Sequence, residues 1–363
     1  MGHNDLRAHR ALLLENIYRK MSAERIDSLL VTDLTAIRWL TGFSGSSARL
    51  LLSGGSAVLF TDFRYEEQVR QETLGIGTVI LKGSLAAELS SGTWNLGDCM
   101  ALQADHISWH DMQQLSASLE GRQFHGVNAF FDEFTEFKHL AELEKMRHAV
   151  EISEKVLDQV IPMISPGITE IDLAAEISYL HRKLGAEKDS FDPIVAGGVR
   201  SAMPHARPTA SRFEPGSLIV LDIGCIVEGY ASDQTRTVAL GRIPEEARKV
   251  YHTVQRAQQL GIDAARAGIA ARDLDAEVRA FIAAEGYGEA FGHGLGHGVG
   301  MMVHESPRIG TTASRTLYEG MVFTIEPGIY LPGRFGVRIE DMVVLGPDGA
   351  LPIQRFTKEL IEL

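Results

Sequence analysis

Gly292-His-Gly-Leu-Gly-His-Gly-Val-Gly-Met-Met-Val-His-Glu305 carries three histidines, His293, His297 and His304, and places glycine at every second position from 292 to 300. Alternate glycines make a poor helix and a poor strand, because each costs backbone entropy and adds no packing. Such a run persists where backbone must turn sharply or pass close to something. With imidazoles between the glycines, the expected neighbour is a metal, a substrate, or both.

Working outward, two apolar hairpins flank this run, and each carries a pair of acids. Ser217 to Gly224 reads as a buried strand with one charge, Asp222; after the Glu228-Gly229 turn, Tyr230 to Val238 returns carrying Asp233. That turn sets the two aspartates directly opposite or diagonal on one face. Met321 to Glu326 is a second strand ending in a carboxylate, and Phe335 to Leu345 returns after Pro332-Gly333 carrying Glu340. Glu326 and Glu340 are symmetric about Gly333 and can meet across the hairpin. Alternation sets Arg338 on the Glu340 face as its ion-pair partner. Carboxylates gathered on half-buried faces repel and lose hydration unless a cation lies between them. One such acid is explained by an ordinary salt bridge; four beside a histidine run are not. The set suits two divalent ions of the Mn, Co, Fe or Zn kind, bridged by carboxylates and a water whose pKa they lower. Metal-assisted hydrolysis is the expected reaction.

The rest of the chain bounds this reading. It has 363 residues, 45% of them hydrophobic, a net charge of −13 and two cysteines. That length accommodates about two domains. The acidic balance argues against nucleic acid or an anionic membrane as partner, and no run is long enough to span a bilayer. Two cysteines make no disulfide framework and exclude a thiolate-held zinc; Cys225 reads as a small buried hydrophobe. A cytoplasmic enzyme is expected. Residues 1–135 alternate helices and strands, with a Gly54-Gly55 hairpin turn, a turn-rich stretch from Trp39 to Ser47 and a helix from Phe63 to Glu72, and read as a small α/β domain. Asp62, Arg64 and Tyr65 could line a site there, although a helix start capped by Asp62 explains them equally well. The boundary falls near 136. Long helices follow, at 138–161 and 169–184, and residues 136–363 are expected to be α+β.

At this point the motifs match a family. Ser201-Ala-Met-Pro-His205, Leu221-Asp-Ile-Gly224, Gly229-Tyr-Ala-Ser-Asp-Gln-Thr-Arg-Thr237, the glycine–histidine run, Val303-His-Glu305, Thr324-Ile-Glu-Pro-Gly-Ile-Tyr330, Gly336-Val-Arg-Ile-Glu-Asp341 and Lys358-Glu-Leu-Ile361 resemble the Xaa-Pro peptidases of the pita-bread metallopeptidase fold, aminopeptidase P and prolidase. Leu40-Thr-Gly-Phe-Ser-Gly-Ser46 and Phe60-Thr-Asp-Phe-Arg-Tyr65 resemble the creatinase-type N-terminal domain that accompanies them. The resemblance implies metal ligands at Asp222, Asp233, His297, Glu326 and Glu340, two ions with manganese first among them, and a metal-bridged hydroxide as nucleophile. It implies Glu326 as proton carrier, His304 at the scissile bond, His205 and His293 as further active-site histidines, and Arg338 and Tyr330 orienting the site. Substrates would be short proline-containing peptides, and the assembly a homodimer or homotetramer. Ala231 stands where many relatives have cysteine, a position that touches no ligand. The two N-terminal stretches favour aminopeptidase P. Arg308, able to grip a dipeptide's free carboxylate, favours prolidase. A binding protein on an inactive peptidase scaffold is the reading from another class, and the intact ligand set speaks against it.

Overall fold

The computed structural model describes residues 3–73 and 75–363, which divide into two compact units, 1–134 and 135–363. The first is a six-stranded sheet. Its strands are β1 (Ser28–Val31), β2 (Arg49–Ser53), β3 (Ser56–Thr61), β4 (Gly77–Ile80), β5 (Cys99–Gln103) and β6 (Gln123–Val127), in the order β4-β3-β2-β1-β5-β6. All run parallel except β2. Gly54 and Gly55, at φ 55° and 77°, turn β2 into β3, the left-handed pair that a tight hairpin requires. Both sheet faces are covered. Leu29, Leu50, Leu52 and Leu59 pack with the helix residues Ile17, Ile37 and Leu40; Leu30, Leu51, Phe60 and Leu102 pack with Leu89 and Leu115. This double burial explains strands that read as apolar runs rather than alternations.

One expectation for this unit fails. The stretch from Trp39 was expected to be turn-rich, but a helix spans Leu34–Thr41. Asp33 caps it by accepting from the amides of Thr35 and Ala36 at 2.9 and 3.0 Å. Its stripe of Ala36, Ile37 and Leu40 is buried, and Gly42, at φ 87°, ends it. The turn chemistry begins only at that glycine.

The second unit repeats one plan. In its first half the helices Leu140–Val160 and Glu170–Lys183 precede β7 (Lys188–Asp189), β8 (Ile194–Gly197), β9 (Ser217–Ile223), β10 (Cys225–Val227), β11 (Tyr230–Ala231) and β12 (Gln234–Leu240). In its second half the helices Glu245–Ala264 and Ala271–Ala284 precede β13 (Gly296–Gly298), β14 (Glu305–Ile309), β15 (Val322–Ile325), β16 (Gly328–Leu331), β17 (Phe335–Arg338), β18 (Asp341–Gly346) and β19 (Gly349–Pro352). Val156, Leu157 and Ile177 bury against Ile219, Leu221 and Val238. Val250, Val254 and Val278 do the same against Phe323, Ile325 and Val337. Each half thus sets apolar helices against antiparallel sheet, divided into two sheets in each half, the α+β architecture expected. The buried pair Arg236–Asp341, at 2.7 Å, ties β12 to β18 across the halves. No helix among the described residues is long and apolar enough to cross a membrane.

Candidate metal centre and active site

Both acid-bearing hairpins break where their acids sit. In β9–β12, Thr235 faces Asp222, so Asp233, two residues earlier and just outside β12, takes the diagonal position. In the other hairpin β15 pairs with β18, with Ile325 opposite Asp341, whereas β16 pairs with β17, with Gly328 opposite Arg338. Glu326 and Glu340 fall in the gap between these ladders, at equivalent registers. Side chains at such breaks leave the sheet faces and converge. One ligand atom each from Asp233, His297 and Glu340 lies within 4.8 Å of the others, a candidate metal-binding triad. His297 Nε2 is 3.6 Å from Asp233 Oδ2 and 3.2 Å from Glu326 Oε1. Asp222 completes the charged set, paired with Arg338 and close enough to Glu326 and Asp233 for their charges to interact.

The glycines answer to a different neighbour from the one expected. A Cβ on Gly296 would sit 2.0 Å from the Thr324 carbonyl oxygen, one on Gly298 2.1 Å from that of Ser306, and one on Gly294 2.6 Å from that of Ile309. The run is pressed between β14 and β15. The glycines therefore serve backbone packing, and the packing fixes His297, whose amide donates to Thr324 Oγ1 at 3.1 Å. His304 follows on the next loop, its ring centroid 4.3 Å from that of His297. Beneath that loop Glu305 is held by Lys138 Nζ at 2.5 Å, a pair almost out of solvent.

Arg338 is also reassigned. Its guanidinium pairs with Asp222 Oδ2 at 2.6 Å rather than with Glu340. It also donates to the Tyr330 hydroxyl at 2.8 Å, to Thr235 Oγ1 at 3.0 Å and to the Pro204 carbonyl at 3.2 Å. Tyr330 in turn meets His293 Nε2 at 3.0 Å. Glu340 instead accepts from Thr235 Oγ1 at 2.6 Å, and Thr324 Oγ1 donates to Glu326 at 3.1 Å. Thr235 and Thr324 were not foreseen. Each lies two residues from a candidate ligand on the same strand face, and that same-face spacing was the available signal. His205 is exposed on the loop after Ser201, and its charge is felt at His293 and His304. Arg308 stands across the strand pair from His297, and its charge reaches His304.

With protein charges alone, burial pushes the carboxyls of Asp233 and Glu340 well above the usual range, and the neighbouring carboxylates push them further. Asp222 is raised as well, chiefly by burial, although Arg338 pulls it back. Burial would raise Glu326 too, but the His297 hydrogen bond and the positive charges of His297, His293 and Arg338 outweigh it and take it down to about 2. His297 is raised, since the Glu326 contact overcomes burial; His293 and His304 are lowered by burial. Three carboxyls that resist ionising side by side form a site for positive charge. The buried Asp222 Oδ1 has no hydrogen-bond partner, which is a vacant lone pair of the kind a cation takes up. The donors, oxygen-rich with one imidazole, fit divalent ions of the Mn–Zn series.

Comparison with known proteins agrees with this chemistry. Residues 144–347 match the model of metallopeptidase family M24, and residues 14–134 match the creatinase/prolidase N-terminal domain. The chain belongs to metallopeptidase family M24. This metallopeptidase is 34% identical over 349 residues to an Xaa-Pro dipeptidase of Pyrococcus horikoshii, covering 96% of this chain and 98% of that one. The solved Xaa-Pro dipeptidase of Bacillus anthracis superposes with a TM-score of 0.94 at 33% identity, over 97% of this chain and 100% of that one. The X-Pro aminopeptidase of Thermotoga maritima superposes with a TM-score of 0.88 at 36% identity, over 93% and 98%.

Proposed function

We propose that this metal-dependent Xaa-Pro peptidase is a prolidase: it hydrolyses Xaa-Pro dipeptides. The observation that carries the reading is Arg308, which is exposed, stands across the strand pair from His297 and lies near enough to His304 for its charge to act there. A dipeptide ends in a carboxylate one residue beyond the scissile bond, and a guanidinium there fits it. The names of the relatives lean the same way, although the Thermotoga structure is an aminopeptidase. The two N-terminal stretches that favoured aminopeptidase P bear less directly on the choice, because both belong to the first unit and not to the catalytic one.

In this reading Asp222, Asp233, His297, Glu326 and Glu340 hold two divalent cations, with manganese the first to try. Bound there, the cations would polarise the scissile carbonyl and make hydroxide available near neutrality. The protein's own groups do the rest. Glu326, kept ionised by His297, His293 and Arg338, takes the proton of the attacking water. It returns that proton to the proline nitrogen, which has no hydrogen of its own as an amide and must gain one to leave as an amine. The new bond is water oxygen to carbonyl carbon, and the bond lost is carbon to nitrogen. His304, its imidazole pKa lowered by desolvation and by the neighbouring His297 charge, donates a hydrogen bond to the carbonyl oxygen as charge develops on it. Arg338 fixes Asp222 and Tyr330, and Tyr330 fixes His293.

The test compares Ala-Pro with Ala-Pro-amide for the wild type and Arg308→Met. The wild type should prefer the free acid, and the variant should lose about tenfold or more in kcat/KM on the acid alone. Equal treatment of acid and amide by the wild type would return the choice to aminopeptidase P.

A further inference from the structure

The first unit contains a cavity of about 200 Å3 lined entirely by its own residues. It lies at the carboxyl ends of the parallel strands. Leu30 and Thr32 come from the end of β1, Phe60, Thr61 and Asp62 from the end of β3, and Leu81 follows β4. The connections run outward to one side from β3, into β4, and to the other side from β5, into β6. A crevice outside the carboxyl ends, where connections diverge in this way, is where open α/β sheets bind ligands. Residues 1–134 carry no part of the catalytic chemistry described above, so the cavity has no assigned occupant.

Its lining is divided in chemistry. Leu30, Phe60, Leu81, Leu85, Ile107 and Leu115 make an apolar floor, while Arg49, Asp62 and Asp111 bring charges of both signs. Arg49 is weakly committed. It donates to the carbonyl of its own neighbour Ala48 at 2.8 Å and approaches Asp111 Oδ2 only to 3.5 Å. Asp62 is bound through both oxygens to Arg64, which leaves Asp111 as the carboxylate less engaged. A second observation is independent of these charges. Thr32, only 9% exposed, lines the cavity, and its hydroxyl is buried without a hydrogen-bond partner. A buried hydroxyl left unpaired is destabilising, and a ligand atom bonded to it would remove that cost.

We propose that this cavity binds a free L-amino acid with an aliphatic side chain. The carboxylate would meet Arg49, the ammonium group Asp111, and the side chain the leucine-rich floor, with Thr32 supplying a hydrogen bond at the inner end. The volume is below the ~300 Å3 at which drug-sized sites begin, which suits a small zwitterion rather than a peptide. The assignment holds whichever proline peptide the catalytic unit cleaves.

The experiment is calorimetric titration of the full-length protein with L-leucine, isovalerate and isoamylamine as probes. Arg49→Met, Thr32→Val and His297→Ala are run beside the wild type. L-leucine should bind in the millimolar range or tighter, and each single-charge analogue about tenfold or more weakly, since each forfeits one charge-assisted contact. Arg49→Met should lose the L-leucine heat, while His297→Ala, altered only in the catalytic unit, should keep it. Thr32→Val keeps the side-chain shape and removes the orphan hydroxyl; it should weaken binding without lowering the thermal midpoint. The proposal is overturned by absence of L-leucine binding, by isovalerate binding as tightly as L-leucine, or by heat that disappears in His297→Ala and survives in Arg49→Met.

Discussion

Replacing Arg338 by methionine should destabilise the metal-stripped protein far more than the metal-loaded one. Arg338 is 3% exposed and holds Asp222 at 2.6 Å, with three further acceptors at 2.8–3.2 Å. Asp222 is buried, and its second oxygen is unpartnered. Methionine fills much of the volume but leaves Asp222 without a counter-charge. Breaking a buried pair from one side costs ~3–5 kcal/mol. At ~2–4 °C per kcal/mol for a unit of this size, that is a fall of roughly 6–20 °C in midpoint. If Asp222 is a ligand, a bound cation supplies the missing charge, and most of the loss should disappear on loading with manganese. The assay is scanning calorimetry of both proteins, with and without metal, with hydrogen exchange at 217–223 and 335–338 to assign the transition to the catalytic unit. That assignment matters because a chain of two units need not unfold in one step. An equal loss in both states would refute the placing of Asp222 at the cation. A loss under ~1 kcal/mol in the stripped protein would refute the buried-pair argument itself.

Other consequences are simpler to read. Thr235→Val removes the 2.6 Å bond to Glu340 and an acceptor of Arg338; metal affinity, measured by competition with a chelating dye, should fall ~10–100-fold with the fold intact. His304→Ala should retain its metal content by elemental analysis and lose ~100-fold or more in kcat, because the partner proposed for it is the substrate. In metal-stripped protein the carboxyls of Asp222, Asp233 and Glu340 have raised pKa values. The folded state therefore binds more protons than the unfolded one above the ordinary carboxylate range, and stability should fall as pH rises from ~4.5. His297, also raised, adds to this fall through and above its ordinary range, whereas His293 and His304, both lowered, oppose it near pH ~6.5. Glu326, taken down to about 2, acts oppositely and only below ~4.5, where its contribution is lost as pH falls. Denaturation midpoints across pH should fall as pH rises from ~4.5, and added manganese should flatten the fall.

Much of the catalytic unit was legible because its signals were local. Acids set in four apolar strands mark the hairpins, and turn positions limit their registers: the facing of Glu326 and Glu340 follows from counting, whereas counting left Asp222 and Asp233 either opposite or diagonal, and the pairing of Asp222 with Thr235 makes them diagonal. What could not be counted was the ladder break. Strands that leave one sheet for another at residues 224–225 and 326–327 carry their side chains off the expected faces, so Arg338 reaches Asp222 instead of Glu340. The glycine run was located correctly, but its cause was misjudged. Which surface presses on Gly296 and Gly298 depends on how β14 and β15 fold back against them, which spacing alone does not give. Thr235 and Thr324 were passed over for a related reason: threonine is ordinary in strands, and the value of these two comes from the carboxylates they bond, Glu340 and Glu326. In the first unit the helix at Leu34–Thr41 was hidden by the glycine and serine that follow it.

The most direct measurement is release of alanine from Ala-Pro and Ala-Pro-Ala by the same preparation, first stripped with EDTA and then restored with manganese. A metal-dependent prolidase should release nothing from either peptide after stripping, recover on restoration, and cleave the dipeptide in clear preference to the tripeptide. Undiminished release by protein shown to be free of metal would contradict the metal centre. Restored cleavage that favours the tripeptide would contradict the prolidase reading and assign the chain to the aminopeptidases.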